Sequence, residues 1–279
     1  MQTRKKQPNL EFTFWKALGD ELIFTCPVAS ESQVYHAIDV WLAAIRKYVE
    51  ESLDDNGLGA KGGAFLGTFP GPDTEVAIPR VPAAEISGRD VIELNDEFRA
   101  DAIDPARFVY DYIGPSIDTG FRVLTKSTAR FFALSIEVAY VLASRCKWAD
   151  KDEYALPDMH LLHSEGLRGV WDDRRYPVFA LDTECENGVN SAFKPFGPPV
   201  PNIDEIVALC KACFESDDWP FHIYLPKSGR EKWTKPPENQ LEKYLERIKY
   251  EQQGEERPSL GEAGGRGADD LELPPDPAR

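Results

Sequence analysis

The sequence predicts an α+β fold: an antiparallel or mixed sheet with helices on one face. Three observations lead there. Two alternating apolar stretches flank Gly19-Asp20 near the start, the mark of a hairpin. A second such pair, His160–Val170 and Tyr176–Leu181, reads as a hairpin further along. Between them, apolar residues recur at helical spacing. Hairpins give antiparallel neighbours, and one-sided apolar helices need a sheet face to cover.

The elements follow in order. Residues 9–15 and 21–28 are the strands of the first hairpin, whose turn carries the carboxylate of Asp20. Ser30 and Gln33 have capping-box spacing. Val34, Ile38, Trp41, Leu42, Ile45 and Val49 then continue a helix, which Asn56-Gly57 stops. A third strand is expected over 60–69, ended by Pro70-Gly71-Pro72. Residues 70–106, rich in Pro, Asp and Ala, read as an insertion. Phe108–Tyr110 is a short strand. Pro115 suits the first turn of a helix that runs to about Thr125. A strand over 130–136, a helix to about Cys146, the second hairpin and an amphipathic helix over 202–215 complete the list. The expected organisation is a domain over 1–182, an accessory segment over 183–226, and a charged tail over 227–279. That tail carries one helix through Leu241, Tyr244, Leu245 and Ile248 and is otherwise disordered.

Composition excludes several functions. The chain has 279 residues, 42% of them hydrophobic and 11% aromatic, enough for a packed core. Asp and Glu number 48 against 32 Lys and Arg, a net charge of −16. Such a chain repels a phosphate backbone, so nucleic acid is not the expected partner. A small anion would need a metal or a local basic pocket. No apolar run approaches the ~20 residues that span a bilayer, and no signal-peptide core follows Met1. Five scattered cysteines form no disulfide framework. A cytoplasmic protein is expected, without a membrane partner.

Three motifs carry little. Gly57-x-Gly59-x-x-Gly62 follows a helix and precedes a strand, the reverse of a phosphate cradle. Cys210-x-x-Cys213 has no second ligand pair for zinc, and His160-x-x-His163 is equally isolated. No serine sits in a Gly-x-Ser-x-Gly setting.

Two segments carry more. The first, Lys16-Ala-Leu-Gly19-Asp20, places a lysine and a hairpin-tip carboxylate four residues apart. The second runs Asp111-Tyr-Ile-Gly114-Pro-Ser-Ile-Asp118-Thr-Gly-Phe-Arg122. It puts Asp118 and Arg122 on one helix face, opposite a stripe of Ile117, Phe121 and Leu124. Together they resemble the class III nucleotidyl cyclases, over roughly residues 9–182. That family has a Lys-x-x-Gly-Asp hairpin, a base-reading Asp, an Asn seven residues on and an Arg four beyond; here Asp118 stands for the Asn. Trp15–Phe24, Phe69-Pro-Gly-Pro-Asp73 and Gly114–Arg122 look more specifically like the pyrimidine cyclases of bacterial Pycsar antiphage systems.

The resemblance implies a ferredoxin-like cyclase fold with a C-terminal extension. It implies conversion of a pyrimidine triphosphate, UTP over CTP, to a cyclic nucleotide and pyrophosphate, the product acting on a separate effector. Arg122 and Asp118 become catalytic candidates. Lys16, Asp111 and Arg168 become substrate-binding candidates, and Asp20 a ligand of one of two Mn²⁺ or Mg²⁺ ions. The family's sites are shared across a homodimer, Asp20 of one subunit facing Lys16, Asp111, Asp118 and Arg122 of the other. An adenylate cyclase and a non-catalytic nucleotide-binding or dimerisation module are the alternatives, since a Lys–Asp pair at the base is also the adenine pattern. The family's other metal-binding Asp, in Phe-x-Asp-x-x-Gly, has no counterpart, because Asp20 lies too near Met1. The expectation is a start downstream of the true one or a truncated gene. With it go an absent first strand and helices, weak metal binding and little activity from this chain alone.

Overall fold

The computed structural model describes residues 9–53, 57–80, 106, 108–148, 158–184 and 187–238. The fold is α+β, as the hairpins and helical stripes require. Strands β1 (Thr13–Leu18) and β2 (Glu21–Thr25) form the first hairpin, with Gly19 at φ +65° in its turn. A residue with a Cβ is disfavoured at that angle, which is why Gly precedes Asp20. Helix α1 (Glu31–Tyr48) starts as expected: the Ser30 side chain accepts from the Gln33 N–H, while Gln33 accepts from the Ala29 N–H. It runs on into a π-helical turn, Val49–Leu53.

The strand expected over 60–69 pairs over only two residues, β3 (Gly63–Ala64). The insertion holds an unforeseen strand, β4 (Thr74–Pro79), antiparallel to β5 (Phe108–Ile113). Residues 81–105, between them, lie outside the described ones. Pro115 opens α2 (Pro115–Leu124) as predicted. Then come β6 (Phe131–Leu134), α3 (Ile136–Trp148), β7 (Met159–Gly166) and β8 (Arg175–Asp182). The main sheet has the order β3-β6-β8-β7, with β3 parallel to β6 and the other neighbours antiparallel.

The core lies between this sheet and the helices. Every residue from Phe132 to Ser144 is buried, so α3 is enclosed on all sides over most of its length and serves as the central helix. It packs against α1 on one side and α5 (Ile203–Phe214) on another. A capping box between Asn202 and Glu205 starts α5. Short α4 (Gly188–Phe193) lies between β8 and α5 in the chain and is exposed except at Asn190.

Packing runs up to Pro226 and continues for a short way past it. Trp219, Phe221, Ile223 and Leu225 are all buried, and so is Trp233 in α6 (Glu231–Thr234). Burying four such side chains at alternate positions stabilises by roughly 1.5–3 kcal/mol each, enough to hold a segment rich in Pro and charge. The helix expected at Leu241–Ile248 and the tail after it lie outside the described residues. No helix among the described residues is long and apolar enough to cross a membrane.

Candidate functional site

The site is assembled around β1, β5 and α2. Lys16 lies on β1 beside a register shift in the hairpin, between Phe14 and Lys16. Its Nζ donates to Asp111 Oδ1 at 2.8 Å, across 95 residues of chain. The Trp15 Nε1–H donates to the same oxygen at 3.0 Å, and the Tyr112 backbone N–H at 2.9 Å. Three donors thus converge on Oδ1, while Oδ2 has no partner among the described residues. Both side chains stay partly open, 29% for Lys16 and 22% for Asp111. An open acceptor beside a lysine with donors to spare can read one edge of a flat heterocycle.

Aromatic rings wall this pair. Lys16 Nζ is 4.3 Å from the Trp15 ring centroid and 5.6 Å from that of Phe121. Trp15 meets Tyr112 edge-on at 4.9 Å and Phe121 at 5.9 Å. The rings hold the ammonium by cation–π attraction and keep water from its sides. Burial pushes the Tyr112 phenol above its ordinary range, with Glu75 adding to the effect.

Phe121 ties this constellation to the next one. Arg122 follows it on α2 and forks onto Asp118, Nε to Oδ2 at 3.0 Å and Nη2 to Oδ1 at 3.2 Å. Its remaining arm, Nη1, donates to the Arg168 carbonyl at 2.6 Å. The loop between β7 and β8 therefore meets Arg122 through its backbone; the side chain of Arg168 itself is exposed.

Beneath both lies a carboxylate that the sequence reading placed only in an insertion. Asp73 is completely buried. Its Oδ2 accepts from the Thr68 N–H at 2.7 Å and its Oδ1 from the Ser116 N–H at 2.9 Å, in the first turn of α2. Burial raises its carboxyl from the ordinary range, against the pull of the Thr68, Ser116 and Ile117 donors. Gly114, at φ +148°, packs so closely on Asp73 that a Cβ there would lie 2.3 Å from Oδ1. Nothing local in the sequence signals this role, because 43 residues separate Asp73 from Ser116.

Asp20 is exposed at the tip of the first hairpin. Among the described residues no group of three or more His, Cys, Asp or Glu side chains could hold a metal ion. The described residues therefore do not make a two-ion site, and Asp20 supplies a single carboxylate. Cys210 and Cys213 are buried in α5, and burial pushes the Cys213 thiol up to about 11. A cavity of about 210 Å³ opens elsewhere, between Leu42 and Ile45 of α1, Val49 of the π-helical turn and Phe132; it contains none of the candidate residues.

Comparison with known proteins found no matching family model, no matching curated protein and no matching solved structure.

Proposed function

We propose that the chain is the catalytic region of a nucleotide cyclase of the class III type. It would convert a pyrimidine triphosphate, UTP in preference to CTP, to its 3′,5′-cyclic nucleotide and pyrophosphate as an antiphage signal. The observation that carries the reading is the meeting of Lys16 and Asp111 across 95 residues, on the flank of the helix that presents Arg122. Two segments whose spacing resembles one family are far apart in the chain, and their side chains bond in space. Chance surface ion pairs do not need an indole N–H on the same carboxylate oxygen.

In this reading Asp111 Oδ2 accepts an N–H from the base and Lys16 donates to a neighbouring acceptor. Trp15, Tyr112 and Phe121 wall the ring. Arg122 stabilises charge on the transferring phosphoryl group while the ribose 3′-hydroxyl gives up its proton to solvent, its oxygen bonds to the α-phosphorus and the bond to pyrophosphate breaks. The guanidinium fork suits phosphate oxygens, and its existing hold on Asp118 shows the geometry it can offer. Asp118 orients the ribose, and the loop of Arg168 borders the phosphates. The completed site would belong to a homodimer, in which Asp20 of one subunit would hold Mn²⁺ or Mg²⁺ for the other, and the ion would supply Lewis-acid assistance to the phosphates.

A second reading, a non-catalytic nucleotide-binding or dimerisation module, is favoured by one observation: Asp20 belongs to no group of three or more metal-binding side chains among the described residues. One assay separates the two. The chain is incubated with ATP, GTP, CTP or UTP and Mn²⁺, and products are resolved by chromatography. Cyclic UMP, with less cyclic CMP, is expected, and Arg122→Ala should abolish it. Binding of UTP without product would support the second reading. Cyclic AMP as the main product would replace the pyrimidine assignment by an adenylate cyclase.

A further inference from the structure

We propose that residues 216–228 act as a positioning strap that sets Arg122 from two sides. What Arg122 then binds rests on the function proposed above; the strap itself does not.

The strap buries alternate residues, Trp219, Phe221, Ile223 and Leu225, although no strand pairs with it. Its far end is fixed: the Lys227 N–H donates to the Ala29 carbonyl at 2.7 Å, and the Ser228 hydroxyl donates to Glu31 at 2.6 Å. Between its ends it grips two loops, one bonded to the first turn of α2 and the other to Arg122 itself.

The first grip acts through α2. The buried Thr68 hydroxyl donates to the His222 carbonyl at 2.8 Å. The Thr68 backbone N–H donates to Asp73, and Asp73 accepts from Ser116 in the first turn of α2. The strap is thus three hydrogen bonds from the helix that carries Asp118 and Arg122.

The second grip acts through the loop between β7 and β8. Trp171, Asp172 and Asp173 have φ of 49°, 53° and 57°. Three consecutive left-handed residues, none of them glycine, cost energy that the surroundings must repay. The strap supplies those surroundings: Trp219 packs edge-on against Trp171 at 4.8 Å, and Asp218 accepts from Arg174 at 2.6 Å. The bend returns its own support, since Asp173 accepts from the Gly169 N–H at 2.8 Å. Gly169 adjoins Arg168, whose carbonyl holds Arg122. Strain of this kind beside a candidate phosphate-binding arginine points to positioning rather than to packing alone.

Hydrogen exchange read by mass spectrometry on the full chain tests the strap. Thr68→Val removes the hydroxyl and little else. It should speed exchange about tenfold in peptides covering 115–124 and leave 136–148 unchanged. Trp219→Leu should speed exchange in 166–174 and likewise spare 136–148. Thr68→Ser, which keeps the hydroxyl, should match the wild type. Unchanged exchange in both target peptides, acceleration spreading to 136–148, or a Thr68→Ser protein that behaves like Thr68→Val would each overturn the proposal. Titrations with UTP and with uridine supply the functional readout. Thr68→Val and Trp219→Leu should weaken UTP binding at least fivefold and leave uridine binding unchanged. Equal loss for both ligands would refute a role specific to Arg122. If the wild-type chain binds neither ligand, the proposed function fails, and the exchange pattern alone decides the strap.

Discussion

Arg122 does not wait with a free charge. Both of its fork nitrogens on one side are taken by Asp118, in a pair whose side chains are 38% and 59% exposed. An i, i+4 pair this open is worth only about 0.3–0.5 kcal/mol, so a triphosphate can displace it. The carboxylate nevertheless competes for the guanidinium and repels an incoming anion. Asp118→Asn keeps the shape, removes the charge and restores the residue that the cyclase pattern has at this position. UTP should then bind about threefold to tenfold more tightly, a Coulomb gain of ~1 kcal/mol for unit charges about 4 Å apart in water. Isothermal titration of both proteins checks this, and weaker binding by the variant would show that the charge of Asp118 is itself used on the substrate. Asp111 obeys a different logic. Its Oδ1 is saturated by Trp15, Lys16 and Tyr112, so removing any single donor should disturb the carboxylate less than removing the carboxylate itself.

The elements show which sequence signals were sufficient. The first hairpin was legible because Gly19-Asp20 is a local turn with a stated φ requirement, and α1 because Ser30 and Gln33 cap it within one turn. Pro115 fixed the start of α2 in the same local way. Lys16, Asp111, Asp118 and Arg122 were singled out through the resemblance to the cyclase pattern, and in the structure Lys16 pairs with Asp111 and Arg122 with Asp118. What was missed is non-local. Strand β4 finds its partner about thirty residues later, through a stretch whose prolines hide any alternation. Asp73 reads as a turn residue until Thr68 and Ser116 close over it. The strap carried a visible signal, apolar residues at 219, 221, 223 and 225, but Pro, Gly and charge around it outweighed the alternation. The joint between β8 and α3 is also non-local. Tyr176 of β8 accepts from the Ile136 N–H at 3.2 Å, capping α3, and its hydroxyl lies 3.5 Å from Glu137 Oε2. Burial pushes Glu137 from 4.5 up to about 7, and its Oε1 has no hydrogen-bond partner. Its folded pKa is raised, so the stability it allows is full below pH 4.5 and falls as pH rises toward 7, by roughly 3 kcal/mol in all. Glu137→Gln should therefore match the wild type near pH 4.5 and exceed it in stability at pH 8. Urea melts at the two pH values measure this, and a difference that does not grow with pH would remove Glu137 as the cause.

At the scale of the whole molecule, charge and apolar surface pull in opposite directions. Each chain carries −16, so two copies repel. Yet the β1–β2 hairpin forms a sheet of its own, and Phe14, Leu18 and Leu22 are 54%, 48% and 62% exposed on it. A lone two-stranded ribbon is marginal in water, and one with apolar residues facing outward gains by being covered. The same hairpin carries Lys16 and Asp20, so the surface that would be covered adjoins the candidate site. If two hairpin regions meet in the proposed homodimer, apolar burial drives association and the net charge opposes it. Salt then has a predictable sign. Raising it from about 50 mM to about 500 mM shortens the screening length from above 10 Å to below 5 Å, so the repulsion fades while the apolar contact persists. Sedimentation velocity should show a dimer that tightens with added salt, and Leu22→Glu should yield a folded monomer at every salt concentration. Association that loosens with salt would mean that ion pairs, not the hairpin, hold the copies together. A wild-type chain that stays monomeric throughout would remove the shared site from the proposed mechanism and leave Asp20 without a subunit to serve.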